Sequence, residues 1–311
     1  MTAVTLADSH RFLTTTGLDF CFFANQELLR RGIRAQPTGL GSERTGKGSP
    51  SMKEFLSKVA IVTGTSGIGR AISLRLAAAG ASVLACGIEA AANRELQQEA
   101  DAQGCALRAE LCDVSRPEQV QAVVQKAVTQ FGGLDYLANC AAIHPFGTVV
   151  ETAPETWNEC LAVNLGSVYL LSHFGIPEMT KRGGGSIVVV ASVQGHACQR
   201  GVAAYAASKG ALHSLTRALA LDHAGSRIRV NSISPGSIRT PMLERSAAHF
   251  SPRLPVDTVV KRFGEAHPLG RVGTVEEVAE LAAFLLSDRS SFCTGGDYLV
   301  DGGLLAGIGV Q

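Results

Sequence analysis

Three residues of this 311-residue chain could carry acid–base chemistry together: Ser192, Tyr205 and Lys209, in the stretch ASVQGHACQRGVAAYAASKGALHSL. Tyr205 and Lys209 stand four apart in an alanine-rich run, a spacing that puts both side chains on one face of a helix. Of the four tyrosines, only Tyr205 has a lysine at that distance. A phenol has a pKa of about 10 in water, too high to exchange protons readily at neutral pH, and a nearby ammonium favours the phenolate. Tyr205 could then take a proton from an alcohol while hydride leaves, or return one to a ketone in the reverse direction. Ser192, at the end of an apolar run, could hydrogen-bond the same substrate oxygen.

Hydride chemistry needs a carrier, and VAIVTGTSGIGRAISLRLAAAGA, Val59 to Ala81, reads as an element that binds one. A buried strand feeds a glycine turn and then a helix, which offers backbone N–H groups and the positive end of a helix dipole to a phosphate. Glycine suits Gly64, Gly67 and Gly69 because a side chain would block the diphosphate or because the backbone needs positive φ. The turn residues Gly64, Ser66, Gly67, Ile68 and Gly69 are therefore candidates for a dinucleotide cradle. Dinucleotide folds often end their second strand on an acid that binds the adenosine ribose. Here GASVLACGIE puts Gly87 at that place, then Ile88 and Glu89, with no arginine for a 2′-phosphate. NAD and NADP both stay open, and Glu89 leans the reading towards NAD.

The elements that must position these residues alternate along the chain. Strands are expected at Val59–Thr63, Ser82–Cys86, Ala106–Leu111, Tyr136–Asn139, Ser186–Ala191, Arg229–Ile233 and Tyr298–Val300. Helices are expected at Gly67–Ala79, Ala90–Gln103, Pro117–Phe131, Glu155–Lys181, Ala203–His223 and Val275–Leu286. Strands this continuously apolar are covered on both faces, so the pattern predicts an α/β, doubly wound parallel sheet of Rossmann type. Its ligands belong at the carboxyl ends of the strands. PMLERSAAHFSPRLPVDTVVKRFGEAHPLGR breaks the rhythm with two short helical pieces and is expected to cover the site.

Composition narrows the setting. The formal charge is +1, which gives no reason for a nucleic acid or membrane partner. Apolar runs such as Val59–Val62 and Ile187–Ala191 fall well short of the roughly 20 residues that span a bilayer. The eight cysteines are scattered, with no C-x-x-C pair and no Cys/His cluster at metal-ligand spacing. They read as small buried hydrophobes in a reducing, cytoplasmic protein, and no metal is expected. Residues 1–52 lack sustained periodicity and end in QPTGLGSERTGKGSP, a linker composition. They read as a poorly ordered extension, with Met52 a possible true start and residues 53–311 as the single folded domain.

The ordered set of the glycine turn, CDV, LANCAA, VNLGS, the serine thirteen residues before YAASK, and NSISPGSIRTPM resembles the short-chain dehydrogenase/reductase family, in its branch of about 250 residues. The resemblance implies that Asp113 contacts the adenine with Val114 beside it, and that Asn139 stabilises the central strand near the cofactor, with Ala141 following it. It implies that Asn164 holds a water linking Lys209 to solvent. Ser192 would polarise the substrate oxygen, Tyr205 would be the general acid/base, and Lys209 would bind the nicotinamide ribose and lower the tyrosine's pKa. Pro235 and Gly236 would wall the nicotinamide, with Ile238 and Thr240 near its carboxamide. A homotetramer is implied as well, with the helices Glu155–Lys181 and Ala203–His223 across one interface and the tail DGGLLAGIGV near another.

Two positions depart from the family pattern. T-G-x-x-G-x-G stands at Thr63 to Gly69 where the family has T-G-x-x-x-G-x-G, and N-C-A-A stands at Asn139 to Ala142 in place of N-N-A-G. The first removes a residue from a loop that must trace a diphosphate, which could shift amide donors by several ångströms at about 3.8 Å per residue. The leading expectation is an NAD(P)-dependent oxidoreductase that interconverts a secondary alcohol and a ketone. A polyol, sugar or similar small hydroxylated substrate is suggested by Gln194, His196, Gln199 and His249. A 3-oxoacyl thioester reductase is the nearest rival. A dinucleotide-binding regulator without turnover is the rival of another class, favoured if the short turn spoils cofactor geometry.

Overall fold

A computed structural model of the chain describes residues 54–307. The expected extension, residues 1–52, and the last four residues lie outside that range. The strands are β1 (Val59–Thr63), β2 (Ser82–Gly87), β3 (Leu107–Leu111), β4 (Tyr136–Asn139), β5 (Gly185–Val190), β6 (Ile228–Pro235) and β7 (Asp297–Val300). All neighbours run parallel in one sheet of order β3-β2-β1-β4-β5-β6-β7. The order reverses between β1 and β4, which leaves a crevice at their carboxyl ends where a ligand can sit.

The helices are α1 (Gly67–Ala78), α2 (Ala90–Ala102), α3 (Pro117–Phe131), α4 (Pro154–Leu161), α5 (Ser167–Lys181), α6 (Ala203–His223), α7 (Pro241–Phe250), α8 (Val256–Glu265) and α9 (Val275–Leu286). Side chains alternate across each strand, so β1 feeds two cores. Ala60 and Val62 join Ile72 and Leu76 of α1 and Val278 and Ala282 of α9 on one face. Val59 and Ile61 join Val123 of α3, Leu171 of α5 and Leu212 of α6 on the other.

The single helix expected over Glu155–Lys181 is instead α4 and α5 joined by a π-turn at Ala162–Gly166. Such turns cluster at functional sites, and this one carries Asn164. By length and composition Pro154–Lys181 could cross a membrane, at a mean hydropathy of 1.3. Here Val168, Leu171, Ile176 and Met179 are buried in the sheet's second core, the situation of a core helix. None of the seven cysteines among the described residues is paired. α7 and α8 form the two short pieces expected in the interrupted stretch, packed together through Ala247, Val259 and Val260.

Candidate active site

A cleft of about 990 Å³ opens at the carboxyl ends of the strands, from the glycine turn to Tyr205 and Lys209. The turn is shaped by its glycines. Gly64 has φ +87° and Gly67 φ +53°, the left-handed region that disfavours side chains. A Cβ on Gly69 would lie 2.1 Å from the Gly64 carbonyl oxygen, so only glycine lets α1 start this close to β1. Ser66 caps α1 in extended backbone without a side-chain hydrogen bond. The first N–H groups of α1, at Gly67, Ile68 and Gly69, therefore have no side-chain cap and sit on the cleft wall. Despite its missing residue the turn still offers a helix N-terminus to an anion.

The turn packs on the end of β2. Thr65 is buried, and a Cβ on Gly87 would fall 2.4 Å from its Oγ1. The position where the family's acid was sought therefore has room for glycine only. Glu89, exposed and without a capping bond to α2, lines the cleft beside Ile88. Asp113 and Val114 line it opposite, after β3. Asp113 Oδ1 accepts from the Ser115 amide at 2.9 Å and hydroxyl at 2.7 Å. Burial opposes the charge, but these bonds and the Arg116 guanidinium hold the carboxyl below its usual range. Asn139 is buried at the end of β4 with both carboxamide atoms unpartnered, and it does not line the cleft. Thr63 does the bracing expected of it, its Oγ1 accepting from the Cys140 and Ala141 amides at 2.9 and 3.1 Å.

At the other end α6 brings Tyr205 and Lys209 to the cleft one turn apart, both buried. Ser192 follows β5 and caps the short turn Val193–Gly195, accepting from the Gln194 amide at 3.1 Å. Its hydroxyl hydrogen serves the Tyr205 phenol, a bond that pulls the phenol downward. Burial outweighs that bond and pushes the phenol up to about 12. Lys209 Nζ donates to the Val190 carbonyl at 2.7 Å and stands 5.6 Å from the Tyr205 ring centre. Burial pushes the ammonium down to about 8. The lowering of the tyrosine by Lys209 is thus not what the isolated chain shows, because desolvation of the phenol dominates.

The Asn164 carboxamide is engaged on both of its polar atoms. Its Oδ1 accepts from the Ile143 amide at 2.8 Å, while Nδ2 donates to the Ile143 carbonyl and to Ser208 Oγ, each at 3.0 Å. Ser208 in turn donates to the Tyr205 carbonyl at 2.7 Å. The carboxamide is committed to clamping the loop after β4 against α6, which makes Asn164 a positioning residue. It does not line the cleft.

The clamped loop carries what the sequence reading missed. His144 meets the Tyr205 ring edge-on with centroids 4.2 Å apart, and burial pushes its imidazole down to about 4. Its Nδ1 has no partner. Phe146, on the same loop, packs edge-on to His144 at 5.1 Å and stacks on His249 of α7 at 3.8 Å. A histidine five residues past Asn139 was visible in NCAAIHPF, and any loop leaving the end of β4 must pass the site. Of the polar residues singled out for substrate, Gln194 and Gln199 line the cleft. His196 and His249 do not, since one turns to Asp297 and the other stacks on Phe146.

Pro235, Gly236, Ile238 and Thr240 also line the cleft. Thr240 caps α7, accepting from the Leu243 amide at 3.2 Å, and its methyl would meet a Cβ on Gly67 at 3.1 Å. Leu304 and Leu305 of the tail also line the cleft.

Residues 62–305 match the family model described as Enoyl-(Acyl carrier protein) reductase. The chain is 38% identical over 251 residues to cyclohexanol dehydrogenase of Acinetobacter sp. (strain SE19), covering 80% of this chain and 95% of that one. It is also 38% identical over 249 residues to the 3-oxoacyl-(acyl-carrier-protein) reductase FabG of Thermotoga maritima, covering 80% and 98%. The structure of L-sorbose reductase from Gluconobacter frateurii, complexed with NADPH and L-sorbose, superposes with a TM-score of 0.77 at 30% identity, over 83% of this chain and all of that one. These likenesses take in the whole sheet and both ends of the cleft: the chain belongs to the short-chain dehydrogenase/reductase family and is an NAD(P)-dependent oxidoreductase acting on CH–OH groups.

Proposed function

We propose that the protein interconverts a secondary alcohol and a ketone on a small hydroxylated or cyclic substrate, with Tyr205 as general acid/base. The observation that carries this reading is the meeting of Ser192, Tyr205 and Lys209 at one end of a cleft whose other end is an uncapped helix N-terminus. The cleft fits a dinucleotide: Gly64, Gly67 and Gly69 leave room that a Cβ would fill, and Glu89 and Asp113 flank the adenosine end. What a nicotinamide supplies when bound is hydride acceptance and a positive charge in the cleft.

The chain's own residues do the rest. Ser192 donates to the substrate oxygen and orients it. Tyr205 takes the hydroxyl proton during oxidation and returns it during reduction. With the phenol near 12 in the isolated chain, only about one molecule in 10⁵ is phenolate at pH 7, so proton transfer waits on the charge of the loaded site. Lys209 contributes charge and a ribose contact, and Asn164 holds the His144 loop against α6. NAD is the preferred cofactor, since Glu89 and Asp113 line the adenosine end and Arg116, the cation next to them, is paired with Asp113 at 3.7 Å.

The His144 ring, edge-on to Tyr205 on the cleft wall, suits a cyclic substrate, which favours a sugar or cyclic alcohol. This agrees with the names of the cyclohexanol dehydrogenase and L-sorbose reductase relatives. A 3-oxoacyl thioester reductase remains the second reading on the strength of the FabG likeness. Purified protein assayed with NAD and NADP against polyols, sugars, cyclic alcohols and acetoacetyl thioester separates them, and activity on the thioester alone overturns the first. Tyr205→Phe should abolish turnover while leaving cofactor affinity within about twofold, and retained turnover refutes the tyrosine mechanism. We further propose a cytoplasmic homotetramer whose catalytic domain is residues 53–311, checked by light scattering and by the activity of a chain starting at Met52.

A further inference from the structure

Behind the turn that carries Ser192, side chains from three separate elements converge. His196 follows the turn, His213 lies one helical turn past Lys209 on α6, and Asp297 opens β7. Their potential ligand atoms all lie within 4.8 Å of one another. His196 Nε2 is 2.7 Å from Asp297 Oδ2, and His213 Nε2 is 3.7 Å from Oδ1. The two imidazole rings stack at 4.2 Å. Asp297 Oδ1 also accepts from the Ser232 and Ser234 hydroxyls at 2.6 and 2.9 Å. None of the three lines the cleft, and the hydride chemistry uses none of them.

We propose that His196, His213 and Asp297 bind a divalent transition-metal ion of the zinc class, through both Nε2 atoms and an Asp297 oxygen, with a fourth position open to solvent beside His196. Two imidazoles and one carboxylate are a zinc-type donor set, whereas calcium and magnesium seek oxygen. Lys209 and Arg217 flank His213 on α6 and disfavour any ion held by charge alone. Coordination by neutral nitrogen survives that repulsion, and Lys209 and Arg217 are already bonded to the Val190 carbonyl and Ser214. Ser232 and Ser234 fix the carboxylate as outer partners do in such sites.

Tetrahedral ligands about 2.0–2.1 Å from zinc stand roughly 3.3 Å apart. The 2.7 Å from His196 Nε2 to Oδ2 and the 3.7 Å from His213 Nε2 to Oδ1 bracket that spacing, and small shifts of the exposed His196 loop and of the carboxylate bring one oxygen to both nitrogens. Metal bonds replace the His196–Asp297 hydrogen bond and the 3.1 Å His213 Nε2–Ser234 hydrogen bond, and each Nε2 proton is released or moves to Nδ1. The ion then ties the Ser192 turn to α6, where Gly195 already packs so tightly that a Cβ would lie 2.5 Å from His213 Cε1.

The test is a titration of the full chain, dialysed against chelator, with cobalt(II) and competing zinc. One saturable equivalent is expected, with the visible absorption of four-coordinate cobalt bound by nitrogen and oxygen. His196→Ala, at an exposed position, and Asp297→Asn should each weaken the cobalt Kd by about tenfold or more. Cobalt should raise the unfolding midpoint of the wild type and leave that of His196→Ala unchanged. No saturable binding, an unchanged Kd in both variants, or a spectrum dominated by thiolate charge transfer from a cysteine such as Cys198 overturns the site.

Discussion

Replacing Lys209 by methionine removes a buried ammonium while keeping the length of the side chain, and the structure sets what this does to stability. Burial lowers the folded-state pKa to about 8, against 10.5 in the unfolded chain. Between those values the unfolded state binds more protons than the folded one, so stability rises with pH across that window. The shift is worth about 3 kcal/mol in full at about 1.4 kcal/mol per unit. Between pH 7.5 and 9 the part gained is about 1 kcal/mol. The buried thiols act oppositely: Cys140 and Cys160 are pushed above their usual range by burial and lose stability as unfolded thiols ionise above about 9. The Lys209 charge pulls both thiols downward, so their contribution does not cancel fully above about 9 and the comparison is made at pH 9.0 and below. Urea unfolding of the wild type and Lys209→Met at pH 7.5, 8.2 and 9.0 should therefore give profiles whose gap changes by about 1 kcal/mol. Profiles that stay parallel within about 0.3 kcal/mol would show that Lys209 is not the desolvated ammonium described here.

Gly69→Ala drives a Cβ into the Gly64 and Thr63 carbonyl oxygens at 2.1 and 2.8 Å, and neither can rotate away. Overpacking of this kind costs about 1–3 kcal/mol, so NADH affinity by fluorescence titration should fall roughly 5- to 150-fold, and an unchanged Kd would mean that the turn does not hold the diphosphate. Glu89→Gln removes a negative charge from the adenosine end, so the NAD-to-NADP ratio of kcat/KM should drop by about three- to tenfold. An unaltered ratio would take Glu89 out of cofactor selection. Asn164→Ala leaves the Ile143 amide and carbonyl without their clamp, at about 1–3 kcal/mol of stability, and should lower kcat at least about tenfold. Full activity would show that the His144 loop keeps its place unaided.

Much of this fold was legible because its strands are short, apolar and separated by helices of clear period. β1, β4, α3, α6 and α9 have the bounds read from sequence. The helix over Glu155–Lys181 was read as continuous because a π-turn keeps helical periodicity, and only the backbone hydrogen bonds reveal it. Tyr205 and Lys209 were found because one helix carries both, so their spacing alone put them on one face. His144 was missed because its value lies in its contact with Tyr205, 61 positions away. The clamp that Asn164 forms was not legible, since its partners Ile143 and Ser208 are distant in sequence.

By itself the sequence determined the doubly wound sheet, the glycine turn and the Ser192, Tyr205 and Lys209 trio. Local periodicity and covalent spacing govern all three. Tertiary structure alone decided what the shortened turn packs on, Thr65 against Gly87, because that contact joins the turn to the end of β2. It also decided that burial, rather than Lys209, sets the state of Tyr205 in the isolated chain, since desolvation depends on everything packed around the phenol. The meeting of His196, His213 and Asp297 is of the same kind. Parallel strand order and the path of α6 bring together three residues whose separation in sequence matches no ligand motif.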